Sequence, residues 1–189
     1  MFVRNWMSAP AVVVSPIVPA GSALSFMEKR GIRRLPVVED DRLVGIVTRS
    51  DLLAALGKDK AKRRGEARSI EGIMTRKPVT VEQEEALERA AELMLQKKVS
   101  GLPVVDGSRV VGIITESDVF RALCQILGVG EKGARVIMSV KDDEDVLAAV
   151  RKRLTGLGMR SLATYHNPTL GRWEVVLRVR GRVAAGRKS

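Results

Sequence analysis

Apolar and polar positions follow one order of periods along this chain, and the order occurs twice. A short β-type run, Val12–Val14, precedes a helical stripe of Ala23, Leu24, Phe26 and Met27. A buried-looking strand follows at Leu35–Val38, then the polar turn Glu39-Asp40-Asp41 and a β-rich strand at Leu43–Val47. A second helix is predicted to begin at Thr48. Further along, Val79–Val81 stands in the first place. Ala86, Ala90, Leu93, Met94 and Val99 form the stripe, with Glu85, Glu88, Glu92 and Lys97 on the opposite side. Leu102–Val105, Asp106-Gly107-Ser108 and Val110–Ile114 complete the second round, and a helix starts at Thr115.

The two rounds superimpose without a gap when Leu35 is laid on Leu102, and 13 of the 22 positions in Leu35–Leu56 match Leu102–Leu123. Each round reads β-α-β-β-α over roughly 55 residues, too few to bury both faces of a sheet. Two copies are too few for a solenoid. The expected fold is therefore α/β (α+β), with two pseudo-symmetric units packed as a pair. The boundaries read as 3–56 and 70–125, joined by a basic linker at 57–69.

Residues 135–180 follow a different pattern. Val136, Met138 and Val140 alternate as a strand does. The acidic Asp142–Asp145 precedes apolar Val146, Leu147, Val150 and Leu154, and Arg151, Lys152 and Arg153 lie near the end, as the helix dipole favours. Gly156 and Gly158 stop that helix. Ser161–Tyr165 and Trp173–Val179 read as strands around a turn at His166–Gly171, giving a small β-α-β-β segment. Residues 181–189 read as a loose basic tail.

Composition excludes several function classes. The chain is 45% hydrophobic, too apolar for a disordered protein. Its longest apolar run is broken by Pro16 and Pro19 and falls short of the roughly 18–20 residues that span a bilayer. Met1–Pro10 lacks the pattern of a secretory signal. A cytoplasmic location without membrane association is expected. One cysteine and one histidine leave no zinc cluster and no histidine-based triad. There is no glycine-rich phosphate loop with lysine, so the chain is not expected to be an enzyme. Cys124 follows an apolar helical stretch and is expected to be buried.

The net charge is +11. Residues 1–123 hold 20 basic and 16 acidic residues, and the excess of four sits in Gly57–Ser69. Residues 124–189 hold 13 basic and 6 acidic residues. The basic surplus belongs to the linker, with its Lys62–Arg64 run, and to the C-terminal segment with Arg178, Arg180, Arg182, Arg187 and Lys188. An alternative reading is a nucleic-acid-binding regulator that uses these two regions, although no helix-turn-helix, zinc finger or aromatic RNA-binding pattern is visible.

The repeated motifs resemble the CBS domain, and the two together resemble a tandem CBS pair, or Bateman module. They stand as Trp6-Met7-Ser8 and Ile73-Met74-Thr75, as Arg34–Val38 and Gly101–Val105, and as Gly45–Asp51 and Gly112–Asp118. The resemblance implies a regulatory sensor that binds AMP, ADP or ATP, or S-adenosylmethionine or a dinucleotide such as NAD, between its copies. It implies a homodimer, an unidentified protein partner and no covalent cofactor.

By family geometry each cleft is composite. One would combine Thr48 and Asp51 with Thr80, Val99, Ser100, Gly101 and Leu102. The other would combine Thr115 and Asp118 with Val13, Ile32, Arg33, Arg34 and Leu35. A strand end meeting a helix start favours phosphate. A carboxylate can accept both ribose hydroxyl protons. Arg33 and Arg34 suit phosphate, and Val13 lacks the hydroxyl that Thr80 provides. The same Thr-x-x-Asp spacing also has capping-box form, which would stabilise each helix with no ligand present. The C-terminal segment resembles the first half of an ACT domain, as in acetoin-utilisation-type regulators, and an exposed sheet edge would allow pairing with a second subunit. Trp173, Tyr165 and His166 read there as core and turn residues.

Overall fold

The computed structural model describes residues 1–57, 68–153 and 158–180. The run Lys62–Arg64, Leu154 with Gly156, and the basic tail lie outside the described residues. The chain divides into two compact units, Met1–Val119 and Phe120–Ser189.

The first unit holds both repeats. The first repeat contributes α1 (Ala20–Arg30), β1 (Arg34–Glu39), β2 (Arg42–Thr48) and α2 (Arg49–Leu56). Two short strands follow, β3 (Thr75–Arg76) and β4 (Val81–Glu82). The second repeat continues with α3 (Leu87–Lys97), β5 (Gly101–Asp106), β6 (Arg109–Thr115) and α4 (Glu116–Ile126), which crosses the boundary between the units. Strands β1 and β2 form a hairpin, as do β5 and β6, with an irregularity at the same place in each, between Val37 and Val38 and between Val104 and Val105. The expected helical stripes are buried at Ala23, Leu24 and Met27 and at Ala90, Leu93 and Met94. Phe26 is only half-buried, and Ala86 lies before α3.

The first predicted strands differ from expectation. Val12–Val14 shrinks to one parallel bridge from Val14 to Val37, and Val79–Val81 becomes β4 beside β5. Two arms, residues 1–8 and 68–76, each cross to the opposite repeat. Thr75 and Arg76 pair with Ile46 and Gly45 of β2, and Ser8 bridges Ile113 of β6. The helices α1 and α3 begin at Pro19 and Ala86, which supply no side-chain cap. Backbone from the arms replaces it. Ala20 N–H donates to Arg68 O, and Leu87 N–H donates to Met1 O, both at 2.8 Å. Val3 and Ile70, equivalent residues of the two arms, are fully buried.

Both crossings require a glycine. A Cβ on Gly45 would lie 2.5 Å from Met74 Sδ and 3.0 Å from Thr75 O. On Gly112 it would lie 2.6 Å from Met7 Sδ and 3.0 Å from Ser8 O. Gly45→Ala and Gly112→Ala are each expected to lower stability by about 1–3 kcal/mol through overpacking. Thermal unfolding checks this, and variants that melt with the parent would refute the close fit.

The second unit pairs β7 (Ala134–Lys141) and β8 (Met159–Asn167) on either side of β9 (Arg172–Val179), with α5 (Val146–Arg153) after β7. This is the expected β-α-β-β order. The first turn of this helix holds no acidic residue, contrary to the expected place of the acidic cluster; Asp145 caps it from outside, its Oδ1 accepting from Leu147 and Ala148 N–H at 2.8 and 3.1 Å. Val140, Val150, Val175 and Leu177 form the core, with Trp173 packed against it. Tyr165 is not core, and His166, expected to open the turn, lies within the strand. Both are exposed on β8, and His166 Nε2 lies 3.1 Å from Asp142 Oδ1. Cys124 is also exposed, contrary to expectation. It lies two residues from buried Ala122, about 200° around a helix of 3.6 residues per turn.

Candidate functional site

The second helix of each repeat starts where a strand ends. Thr48 closes β2 and caps α2. Its N–H and hydroxyl donate to Asp51 Oδ2 at 2.8 and 2.7 Å, and its hydroxyl accepts from Asp51 N–H at 3.2 Å. Thr115 N–H and hydroxyl donate to Asp118 Oδ2 at 2.8 and 2.6 Å. The capping role therefore exists in both repeats without any ligand. Burial separates the two acids: Asp118 is 3% exposed, whereas Asp51 is half-buried. Among the described residues, Asp51 Oδ1 accepts no hydrogen bond, so one oxygen serves the helix and the other remains available.

A cavity of about 330 Å³ opens beside Asp51. It brings together Thr48 and Asp51 of the first repeat with Val99, Ser100, Gly101 and Leu102 of the second, as the composite reading requires. Thr80 is outside the lining and Val79 stands in its place, since neighbours along an extended segment face opposite sides. Lys77, Lys98 and Thr75 also line the cavity and were not foreseen. Thr75 comes with the crossing arm, which no local pattern announces. Comparing Lys98 with its repeat equivalent, Gly31, offered a signal.

A second cavity of about 460 Å³ is lined by the starts of α2 and α4: Thr48, Arg49 and Ser50 from one, Thr115, Glu116 and Ser117 from the other. Arg33, Arg34 and Ser100 complete the wall. It carries three arginines against one acid, together with backbone at the positive ends of two helices. Of the residues assigned to the second cleft, Thr115, Arg33 and Arg34 meet here. Leu35 is buried in the core, Ile32 is half-buried, Val13 is exposed, and Asp118 lies beneath the helix start.

Arg34 departs from its assigned place. Its guanidinium reaches the other repeat, where Nη1 donates to Ser100 O and Nη2 donates to Ser100 Oγ at 2.7 Å. It thereby lines both cavities. Arg34 and Gly101 occupy the same position of the repeat, and a Cβ on Gly101 would collide with the Arg34 guanidinium and stand 3.0 Å from Ile114 O. The large residue of one copy fills the space that the glycine of the other leaves empty. Burial, and after it the charge of Arg33, pull the Arg34 guanidinium below its ordinary pKa, against the opposing pull of Glu116 and Asp118.

The CBS domain family matches this chain twice, over residues 3–58 and 69–125. The chain belongs to the CBS domain family. It is a tandem CBS pair, and residues beyond 125 fall outside the match. Protein MJ1225 of Methanocaldococcus jannaschii is 36% identical over 128 residues, covering 63% of this chain. The chain spans 46% of that relative's length and 22% of that of L-aspartate semialdehyde sulfurtransferase from the same organism, which is 35% identical over 121 residues, 63% of this chain. Among solved structures, the CBS domain pair of protein MJ0100, in complex with 5'-methylthioadenosine and S-adenosyl-L-methionine, is 34% identical with a TM-score of 0.58. It covers 65% of this chain and 95% of its own. CBSX2 in complex with AMP is 34% identical with a TM-score of 0.57, covering 66% and 97%. Among the described residues no helix is long and apolar enough to cross a membrane.

Proposed function

We propose that this CBS pair is a non-catalytic regulatory module that binds an adenosine-containing ligand in the cleft beside Asp51. The observation that carries the reading is the divided carboxylate of Asp51. One oxygen holds the start of α2, and the other has no partner among the described residues, at a cavity shared by both repeats. That acceptor suits the ribose hydroxyls, and the apolar Ile46, Val79 and Val99 suit a flat base. Complexes of similar CBS pairs with AMP and with S-adenosyl-L-methionine support the ligand class. Ligand bound to both repeats at once favours one relative arrangement over others, which is the physical requirement for a signal.

The module works, on this reading, as a cytoplasmic homodimer that passes its state to a protein partner. Exposed Phe120, Leu123 and Ile126 on α4 support self-association. The strand order β7-β9-β8 supports kinship of the C-terminal segment with half an ACT domain.

Isothermal titration with AMP, ADP, ATP, S-adenosylmethionine and NAD tests this function. At least one of them is expected to bind, and Asp51→Ala is expected to weaken it about tenfold or more, the loss of a charge-assisted hydrogen bond. Folded protein that binds none of the five refutes the reading. Light scattering on the same samples reads the dimer, and a monomer at all concentrations refutes that part.

A further inference from the structure

We propose that the cleft beside Asp51 selects phosphate-bearing adenine nucleotides over uncharged and sulfonium-bearing adenosine compounds, through Arg34, Lys77 and Lys98. The inference rests on the adenosine reading of that cleft and names the ligand class within it.

The repeat itself supplies the internal comparison. Arg34, Lys77 and Lys98 all line the cleft, against the single carboxylate of Asp51. Their equivalents in the other copy are Gly101, Pro10 and Gly31, none of them charged. The two lysines are therefore particular to this cleft, while the equivalents of its Ser100 and Gly101 are Arg33 and Arg34. The adenosine half is common to every candidate ligand, so discrimination must act on the 5' substituent. A phosphate brings negative charge, methylthioadenosine brings none, and S-adenosylmethionine brings a sulfonium cation beside an amino acid. Three cations attract the first and repel the sulfonium. Arg34 can add planar, bidentate recognition of phosphate oxygens. Its present partners on Ser100 are neutral acceptors, and an anion would relieve the burial of its charge.

Backbone conformation points the same way. Lys98 caps α3 in the left-handed region at φ 54°, where its equivalent Gly31 has φ 65°. A lysine there carries strain that glycine avoids. Lys77 is left-handed as well, at φ 49°. The local geometry gains nothing from either side chain, and both stand at the cleft. Arg34, Thr48 and Ser100 line both cavities, and the second adds Arg33 and Arg49 to the charge near this cleft.

The test is isothermal titration of the full chain with AMP, ADP, adenosine, methylthioadenosine and S-adenosylmethionine at low and high salt, repeated on Lys77→Gln and Lys98→Gly. AMP and ADP are expected to bind about tenfold or more tighter than adenosine. Salt should shrink that advantage, and S-adenosylmethionine should bind more weakly than adenosine. Each variant should reduce the AMP-to-adenosine affinity ratio about threefold or more. Lys98→Gly should do so while raising the melting temperature, because glycine relieves the left-handed strain. Adenosine or S-adenosylmethionine binding as tightly as AMP, or a ratio that neither variant changes, overturns the selectivity and leaves the adenosine reading standing. Absence of binding by all five overturns the selectivity, and absence of binding by ATP and NAD as well overturns the adenosine reading.

Discussion

Deleting residues 1–8 is expected to lower the melting temperature by about 10 °C or more, although the segment forms no regular strand. Val3 is fully buried, and loss of such a side chain removes about 1.5–3 kcal/mol. Leu87 N–H loses Met1 O, its helix-starting acceptor, and the bridge from Ser8 to Ile113 disappears. Val3 and Arg4 N–H groups no longer donate to Glu85 and Gln83 carbonyls. At about 0.5–1.5 kcal/mol net per hydrogen bond, the total exceeds about 4 kcal/mol. A chain of this size loses roughly 2–4 °C per kcal/mol. Differential scanning calorimetry of the truncated protein measures the shift. A melting temperature within about 3 °C of the parent would mean that the arm does not hold the second repeat.

Asp118→Ala is expected to destabilise the protein by about 2–4 kcal/mol, and Asp51→Ala by about 1 kcal/mol. The two acids occupy the same repeat position and make the same pair of bonds to a threonine. Burial separates them. Both threonines are half-buried, but Asp118 itself is 3% exposed, so its loss leaves a buried void beside the Thr115 N–H and hydroxyl, whereas water can take the place of the half-buried Asp51 carboxylate. Asp118→Asn retains an acceptor oxygen and should recover most of the loss. Urea unfolding resolves the difference, and equal losses for the two alanine variants would refute the assignment. The functional order is the reverse, since Asp51 carries the free oxygen at the cleft.

The repeat made much of this architecture legible. Helices at Ala23–Met27 and Ala90–Met94, both hairpins and both Thr-x-x-Asp caps follow from local periodicity and spacing, and the structure forms all of them. Six of the residues expected in the first cleft line one cavity because the motif positions of a repeated unit meet across its symmetry. The exceptions are informative. Val13 and Thr80 read as equivalent strand residues, yet the strands around them shrink to one bridge at Val14 and to the two-residue β4. Cys124 reads as buried from its apolar neighbours, but only its angle around α4 decides its exposure.

By itself the sequence determined what depends on neighbours along the chain: the elements, their doubling at one spacing, the helix caps and membership of a paired fold. Tertiary structure alone decided what depends on residues far apart in sequence. It showed that each arm serves the opposite repeat, that Gly45 and Gly112 exist for those arms, and that Arg34 crosses over Gly101 to Ser100. It also separated two acids that the motif makes identical. The physical reason is that a repeated sequence encodes equal local energies in both copies, while burial and charge at the interface depend on the residues where the copies differ.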